Sequence, residues 1–211
     1  MTPKRTYVSP LREQTAAHTR EVILLRATEL FAERGYGRVA VADIAAAAGV
    51  SPPTVFTSIG SKGALLNRIV EDAVMASGHE ESLRRLLVLQ TPGKVLAALA
   101  ADTRAGNESQ FAVHQALHKA MPVYEDADKL WELATGAYRE TLAASARHLH
   151  SLDPALPGTT KGTADLLWYW FGPASWRTLV VENGWSWRRA EKFLRETATT
   201  TLTHELVRDS S

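Results

Sequence analysis

Cysteine is absent from the 211 residues, so disulfides, thiolate zinc sites and cysteine nucleophiles are excluded. The apolar runs all break well short of the roughly 18 residues that a membrane span requires, and Met1-Thr2-Pro3-Lys4-Arg5 lacks the apolar core of a signal peptide. A cytoplasmic location without membrane contact is expected. Strand-like alternation and internal repeats are missing as well. No nucleotide-binding glycine loop, metal-ligand triad or nucleophile elbow is present, so no catalytic residue, metal or cofactor is expected. A charge excess is also nearly lacking, because 24 Lys and Arg against 23 Asp and Glu leave +1. The distribution tells more. Residues 1–62 hold eight basic and five acidic side chains, a surplus of +3, whereas residues 63–211 hold sixteen and eighteen, a balance of −2. Any attraction to phosphate therefore belongs to the N-terminal part.

That part holds the most informative stretch. Val41, Ile44, Ala45 and Ala48 recur at the spacing of one apolar face of a short helix. Gly49 suits the left-handed backbone that ends a helix in a sharp turn. Ser51 can cap a second helix, and Pro52 fits its first position, where the missing N–H has no partner to lose. Val55 and Ile59, four apart, then face the first helix and leave Thr54, Phe56, Thr57 and Ser58 outward. A helix this short is unstable alone and is best read as a presented surface. Two short helices joined by a tight glycine turn form the motif whose second helix enters the DNA major groove.

Several further motifs lie in order around it: Leu30-Phe31-Ala32-Glu33-Arg34-Gly35-Tyr36, Asp43-Ile44-Ala45, Ala48-Gly49-Val50-Ser51, and Val55-Phe56 followed by Ile59-Gly60-Ser61-Lys62. With these, residues 19–66 resemble the TetR/AcrR family of bacterial repressors. The resemblance implies an all-α chain. Its three-helix DNA-binding domain would span residues 19–78, and a helical ligand-binding and dimerisation domain residues 79–211. It also implies a double-stranded DNA operator, a small-molecule effector of unknown identity and a homodimer. Thr54, Phe56 and Thr57, with Pro53 beside them, would meet bases; Arg38, Lys62 and the backbone near Ser51 would meet phosphate. The chain departs from the family pattern at Val39 and Ala40, where Thr or Ser usually caps the second helix and touches phosphate. It departs again at Ala42, usually basic or polar, at Pro53, usually small, and at Phe56, usually tyrosine. Phenylalanine offers only apolar contact, for instance to a thymine methyl, and it is also suited to the domain core.

Around this domain the chain reads as helices. Pro3 and Pro10 argue against an early helix, so residues 1–18, with Lys4, Arg5 and Arg12 against Glu13, read as a basic, mobile arm. Thr19 would cap a helix over residues 19–34 that buries Ile23, Ala27, Leu30 and Phe31. Ser61 caps the next, which carries Leu65, Leu66, Ile69, Val70 and Ala73 to about residue 77. Further helices are expected over residues 95–105, 111–120 and 128–150, and from residue 163 to Asn183-Gly184 with a kink at Pro173. Ser186 caps the last.

Three sets of side chains stand out in the C-terminal part. Phe111, His114, His118, Trp131, Tyr138, Trp168 and Phe171, with Met121, combine aromatic walls with polar tips, the make-up of a small-molecule pocket and equally of a plain core. His114 and His118 share a helix face, but glutamine stands where a zinc protease needs glutamate, and no third ligand is identifiable. In the final helix Phe193, Leu194, Thr197, Thr201 and Leu202 keep a three-four spacing. The family resemblance would place that face in a two-fold helical dimer interface; packing on the helix's own domain fits the same spacing. The expected function is a ligand-responsive regulator, a repressor released from a pseudo-palindromic operator by its effector. The alternative is a helical binding protein or enzyme whose helix-turn-helix is only structural.

Overall fold

The computed structural model describes residues 10–203, with side chains from Arg12 to Leu202. Among the described residues every regular element is helical. No helix there is long and apolar enough to cross a membrane. In order they are α1 (Pro10–Arg34), a 3-10 turn (Tyr36–Arg38), α2 (Val41–Ala48), α3 (Pro52–Ser58), α4 (Lys62–Met75), α5 (His79–Leu87), α6 (Pro92–Ser109) and α7 (Phe111–Ala120). There follow α8 (Ala127–Leu152), α9 (Thr160–Phe171), α10 (Pro173–Arg177), a π-helical turn (Thr178–Glu182) and α11 (Trp187–Thr203). Contacts divide the chain into two compact units. One takes residues up to Ala73 together with Ala112–Trp131, and the other takes Val74–Phe111 together with residues from Glu132 onward.

In the first unit α1 is longer than the sequence suggests. Pro10 is its first residue, the one helical position at which a proline costs nothing. Residues 10–18 are therefore helix rather than a loose arm; the rest of the expected arm, with Lys4 and Arg5, lies outside the described residues. Thr19 does not cap. It sits mid-helix and its hydroxyl donates to the Thr15 carbonyl at 2.8 Å. Ile23, Ala27 and Phe31 of α1 are fully buried, as are Ile44 and Ala45 of α2 and Val55 of α3, and α1 packs on both of those helices.

The second unit is built on one core. Leu86 of α5, Leu96 and Leu99 of α6, Leu142 and Leu149 of α8, Phe171 of α9 and Leu194 and Leu202 of α11 meet there. Helix α5 is mostly polar on its surface and has no counterpart among the expected helices; Leu86 alone is fully buried from it. The expected helix past residue 163 is broken rather than kinked. Gly172 ends α9 in extended backbone and Pro173 opens α10 at its first position. A Cβ at Gly172 would stand 2.4 Å from the Trp168 carbonyl oxygen, closer than any side chain tolerates, so the sharp corner requires glycine.

Candidate DNA-binding surface and aromatic cluster

The turn chemistry of the motif works as its residues dictate. Gly49 is left-handed at φ 68°, and its N–H closes on the end of α2. Ser51 is extended, and its hydroxyl oxygen accepts from the Thr54 N–H at 3.3 Å. Val55 is fully buried, which fixes the rotation of α3 about its axis. Phe56, 53% exposed, therefore faces outward, beside exposed Pro53 and Thr57 and half-buried Thr54 and Ser58. The core role open to Phe56 in the sequence is not the one it takes. Ile59 is only half-buried.

The hydroxyls of this surface are largely engaged. Thr57 Oγ1 donates back to the carbonyls of Pro53 at 3.0 Å and Thr54 at 3.1 Å. Ser51 Oγ and Thr54 Oγ1 share a hydrogen bond of 2.8 Å. At the other helix, Ala40 brings no capping side chain, and Asp43 takes over: its carboxylate accepts from the Ala40 N–H at 2.8 Å.

Lys62 points into the domain. Its Nζ donates to the carbonyls of Tyr36 at 3.0 Å and Val39 at 3.1 Å, and lies 4.3 Å from the centre of the Tyr36 ring. Two of its three N–H groups thus hold the turn between α1 and α2. Lys119, which drew no notice in the sequence, does the same for the end of α1, donating to Ala32 at 2.6 Å and Glu33 at 3.0 Å. Tyr36 packs between Phe31 and Tyr124, and burial, then the neighbouring Tyr124, raises its pKa. Arg38 is exposed. Arg12, which the sequence placed in the basic arm, lies instead on α1. With α1 extended, it lines a shallow cleft of about 390 Å³ together with Thr15, Thr19, Thr54 and Ser58, so the first turns of α1 flank α3.

The aromatic candidates do not form one group. His114, half-buried, and Trp131 meet edge to face at 6.4 Å in the first unit, where His118 is exposed. Among the described residues no cluster of three or more His, Asp or Glu could hold a metal ion. In the second unit Phe111 meets Trp187 at 5.6 Å, while Tyr138, Trp168 and Phe171 gather separately. The Tyr138 hydroxyl donates to the Phe171 carbonyl and accepts from Asn107 Nδ2 at 3.1 Å. Burial pushes its pKa well above the usual phenol range. His79 stacks on the Tyr138 ring at 5.5 Å, Trp168 meets its edge at 5.8 Å, and the Arg139 guanidinium covers Trp168 at 3.7 Å. Burial lowers the His79 pKa. His79, Asn107 and Arg139 are the members of this group that the sequence did not single out.

The final helix also differs from expectation. Leu194 and Leu202 are 3% and 2% exposed and pack into their own unit, with α6 as the main neighbour. They are therefore not available as interface residues. Phe193 is 46% exposed, in edge contact with Trp185, and Thr197 and Thr201 are half-buried.

A three-helix domain that turns a short helix outward on a glycine corner defines a helix-turn-helix protein. Residues 23–69 match the model of the family described as bacterial regulatory proteins, tetR family. Among solved structures, the chain is similar to the TetR family transcriptional regulator PfmR from Thermus thermophilus, at 20% identity and a TM-score of 0.66, covering 94% of this chain and 98% of that one. It is also similar to the transcriptional regulator FadR from Bacillus subtilis in complex with stearoyl-CoA, at 12% identity and a TM-score of 0.69, covering 86% and 98%. No curated protein sequence matches. Residues 23–69 thus carry the DNA-binding domain of tetR-family regulatory proteins, and the chain as a whole shares the fold of these transcriptional regulators.

Proposed function

We propose that the protein is a homodimeric, ligand-responsive repressor that binds a pseudo-palindromic operator. The observation that carries this reading is α3. It is held in one orientation by the fully buried Val55, and it presents Pro53, Phe56 and Thr57 to the outside. Thr54, Phe56 and Thr57 meet base edges. Arg38 and the backbone around Ser51 meet phosphate, with Arg12 reaching the flanking duplex and Lys62 supporting them by holding the turn between α1 and α2.

Two copies of α3 have to reach successive major grooves about 34 Å apart, and an effector that favours a different spacing releases the DNA by population shift. The exposed side chains Leu166 and Tyr169 on α9 and Phe193 on α11 supply apolar surface for the second copy. Stearoyl-CoA bound to the similar FadR supports a small-molecule effector here. Half-buried Trp168 and Phe111 are the proposed contacts, with Tyr138 and Phe171 as supporting wall.

The test is fluorescence anisotropy of the full chain with DNA from upstream of its own gene, beside a scrambled duplex of equal length, at several salt concentrations. Preference for the upstream DNA, with affinity falling as salt rises, is expected. Equal binding to both duplexes would remove the repressor reading for that site, and no binding at low salt would remove the DNA-binding function altogether.

A further inference from the structure

The recognition helix is unusual in what it does not carry. From Ser51 to Gly60 there is no Arg, Lys, Asn, Gln, Asp or Glu, and from Val39 to Ser61 the sole charged side chain is Asp43. Asp43 is engaged with the Ala40 N–H. The strong direct readings of DNA need long, forked side chains: Arg or Lys for guanine, Asn or Gln for adenine, and Glu or Asp for the cytosine amine. Helix α3 can make none of them. Among its hydroxyls, those of Thr54 and Thr57 are largely engaged, as is that of the capping Ser51, and Ser58 is half-buried. The single Thr57 proton is directed to the Pro53 and Thr54 carbonyls, and Ser51 and Thr54 spend one proton on each other, which leaves one hydroxyl proton between them.

What α3 does present is hydrocarbon. The Phe56 ring stands out from a helix of seven residues, flanked by the Pro53 ring, and Thr57 adds a γ-methyl because its oxygen is turned back to the backbone. In the major groove one base carries an apolar group, the thymine C5-methyl. We infer that this protein recognises its operator through thymine methyl groups, with Phe56 as the principal specificity-determining residue and the Thr57 methyl beside it. The inference rests on the DNA-binding reading above and narrows it: half-sites contacted by α3 contain thymines, and guanine is not read there.

Deoxyuridine differs from thymidine by that methyl alone and keeps its base pairing, so it tests the contact without changing the hydrogen-bond pattern. The full chain is used to enrich duplexes from a random-sequence pool. The enriched duplex is then remade with deoxyuridine at each thymine in turn and titrated by anisotropy. Loss of about three- to fivefold in affinity per critical methyl is expected, the size for burying one such group. Phe56→Ala should bind the thymine duplex more weakly and lose its sensitivity to deoxyuridine. Phe56→Leu should retain part of both. Because Phe56 is exposed, neither variant should lose its fold, which circular dichroism checks. Enrichment of a defined site that binds equally well with deoxyuridine throughout would overturn the methyl readout and leave the DNA-binding function standing. Failure to enrich any site would overturn both.

Discussion

The ammonium of Lys62 is tied to Tyr36 twice, through a 3.0 Å hydrogen bond to its carbonyl and by lying 4.3 Å from the centre of its ring. With the second bond to Val39, this lysine fastens the turn that sets α2 against α1. A charged donor to a carbonyl contributes about 1.5–3 kcal/mol when buried, and partial exposure here brings the expected loss for Lys62→Ala to about 1–2 kcal/mol. Differential scanning calorimetry should show a melting temperature lower by about 3–6 °C for a chain of this size. Loss of DNA affinity should be the same for specific and scrambled duplexes. An unaltered melting temperature would show that the amine does not support the turn.

The corner between α2 and α3 depends on Gly49 at φ 68°. Gly49→Ala forces a Cβ into left-handed backbone at a cost of about 1–2 kcal/mol. Gly49→Asn should recover part of it, since asparagine visits that region more readily. Urea denaturation followed by circular dichroism ranks the three proteins; alanine as stable as glycine would contradict the geometry.

At the opposite end of the chain, Gly172→Ala meets the Trp168 carbonyl oxygen at 2.4 Å. Backbone cannot yield as a flexible side chain can, and the overpacking should destabilise by about 1–3 kcal/mol. The same urea titration measures it, and a neutral result would mean that α9 and α10 can part without strain.

His79 predicts a pH dependence. Its pKa in the folded state is lowered from 6.5 by burial, so below that value the unfolded chain binds the extra proton more readily. Its contribution is level above about pH 6.5 and turns against folding as the pH falls through 6.5 toward the folded value. Thermal midpoints from pH 7.5 down to 5.5 should drop less steeply in His79→Phe, which keeps a ring against Tyr138, than in the natural sequence. Parallel pH profiles for the two proteins would exclude His79 as a source of the slope.

The two neighbours on α11 separate an interface from a core. Phe193→Asp places a charge on an exposed residue and should yield a folded monomer by light scattering. Leu194→Asp buries a charge 3% exposed and should unfold the second unit. A Phe193→Asp protein that remains dimeric would move the proposed interface elsewhere.

What the sequence made legible was decided locally. Gly49, Ser51 and Pro52 carry the turn in their own chemistry, and the burial of Ile23, Ala27 and Phe31 follows from helical spacing. Pro10 misled because a proline reads as a breaker, although it is tolerated at the position it holds in α1. Helix α5 went unread because one leucine, Leu86, anchors an otherwise polar segment, and tertiary packing rather than pattern decides it. The periodicity of α11 correctly marks a face to be buried, but a helix of the same unit and a second copy leave the same imprint. Leu194 and Leu202 face the former. Lys62 and Lys119 show the same limit for charge: a lysine aimed at carbonyl oxygens looks in sequence like one aimed at phosphate.

Reading of DNA by α3 is tested most directly by hydroxyl-radical and methylation footprinting of the full chain on a duplex enriched from a random pool. Two protected patches about one helical turn apart, related by two-fold symmetry, are expected, with the protection lost in Phe56→Asp while the fold is kept. A footprint unchanged by Phe56→Asp, or no footprint at any salt concentration, would contradict it.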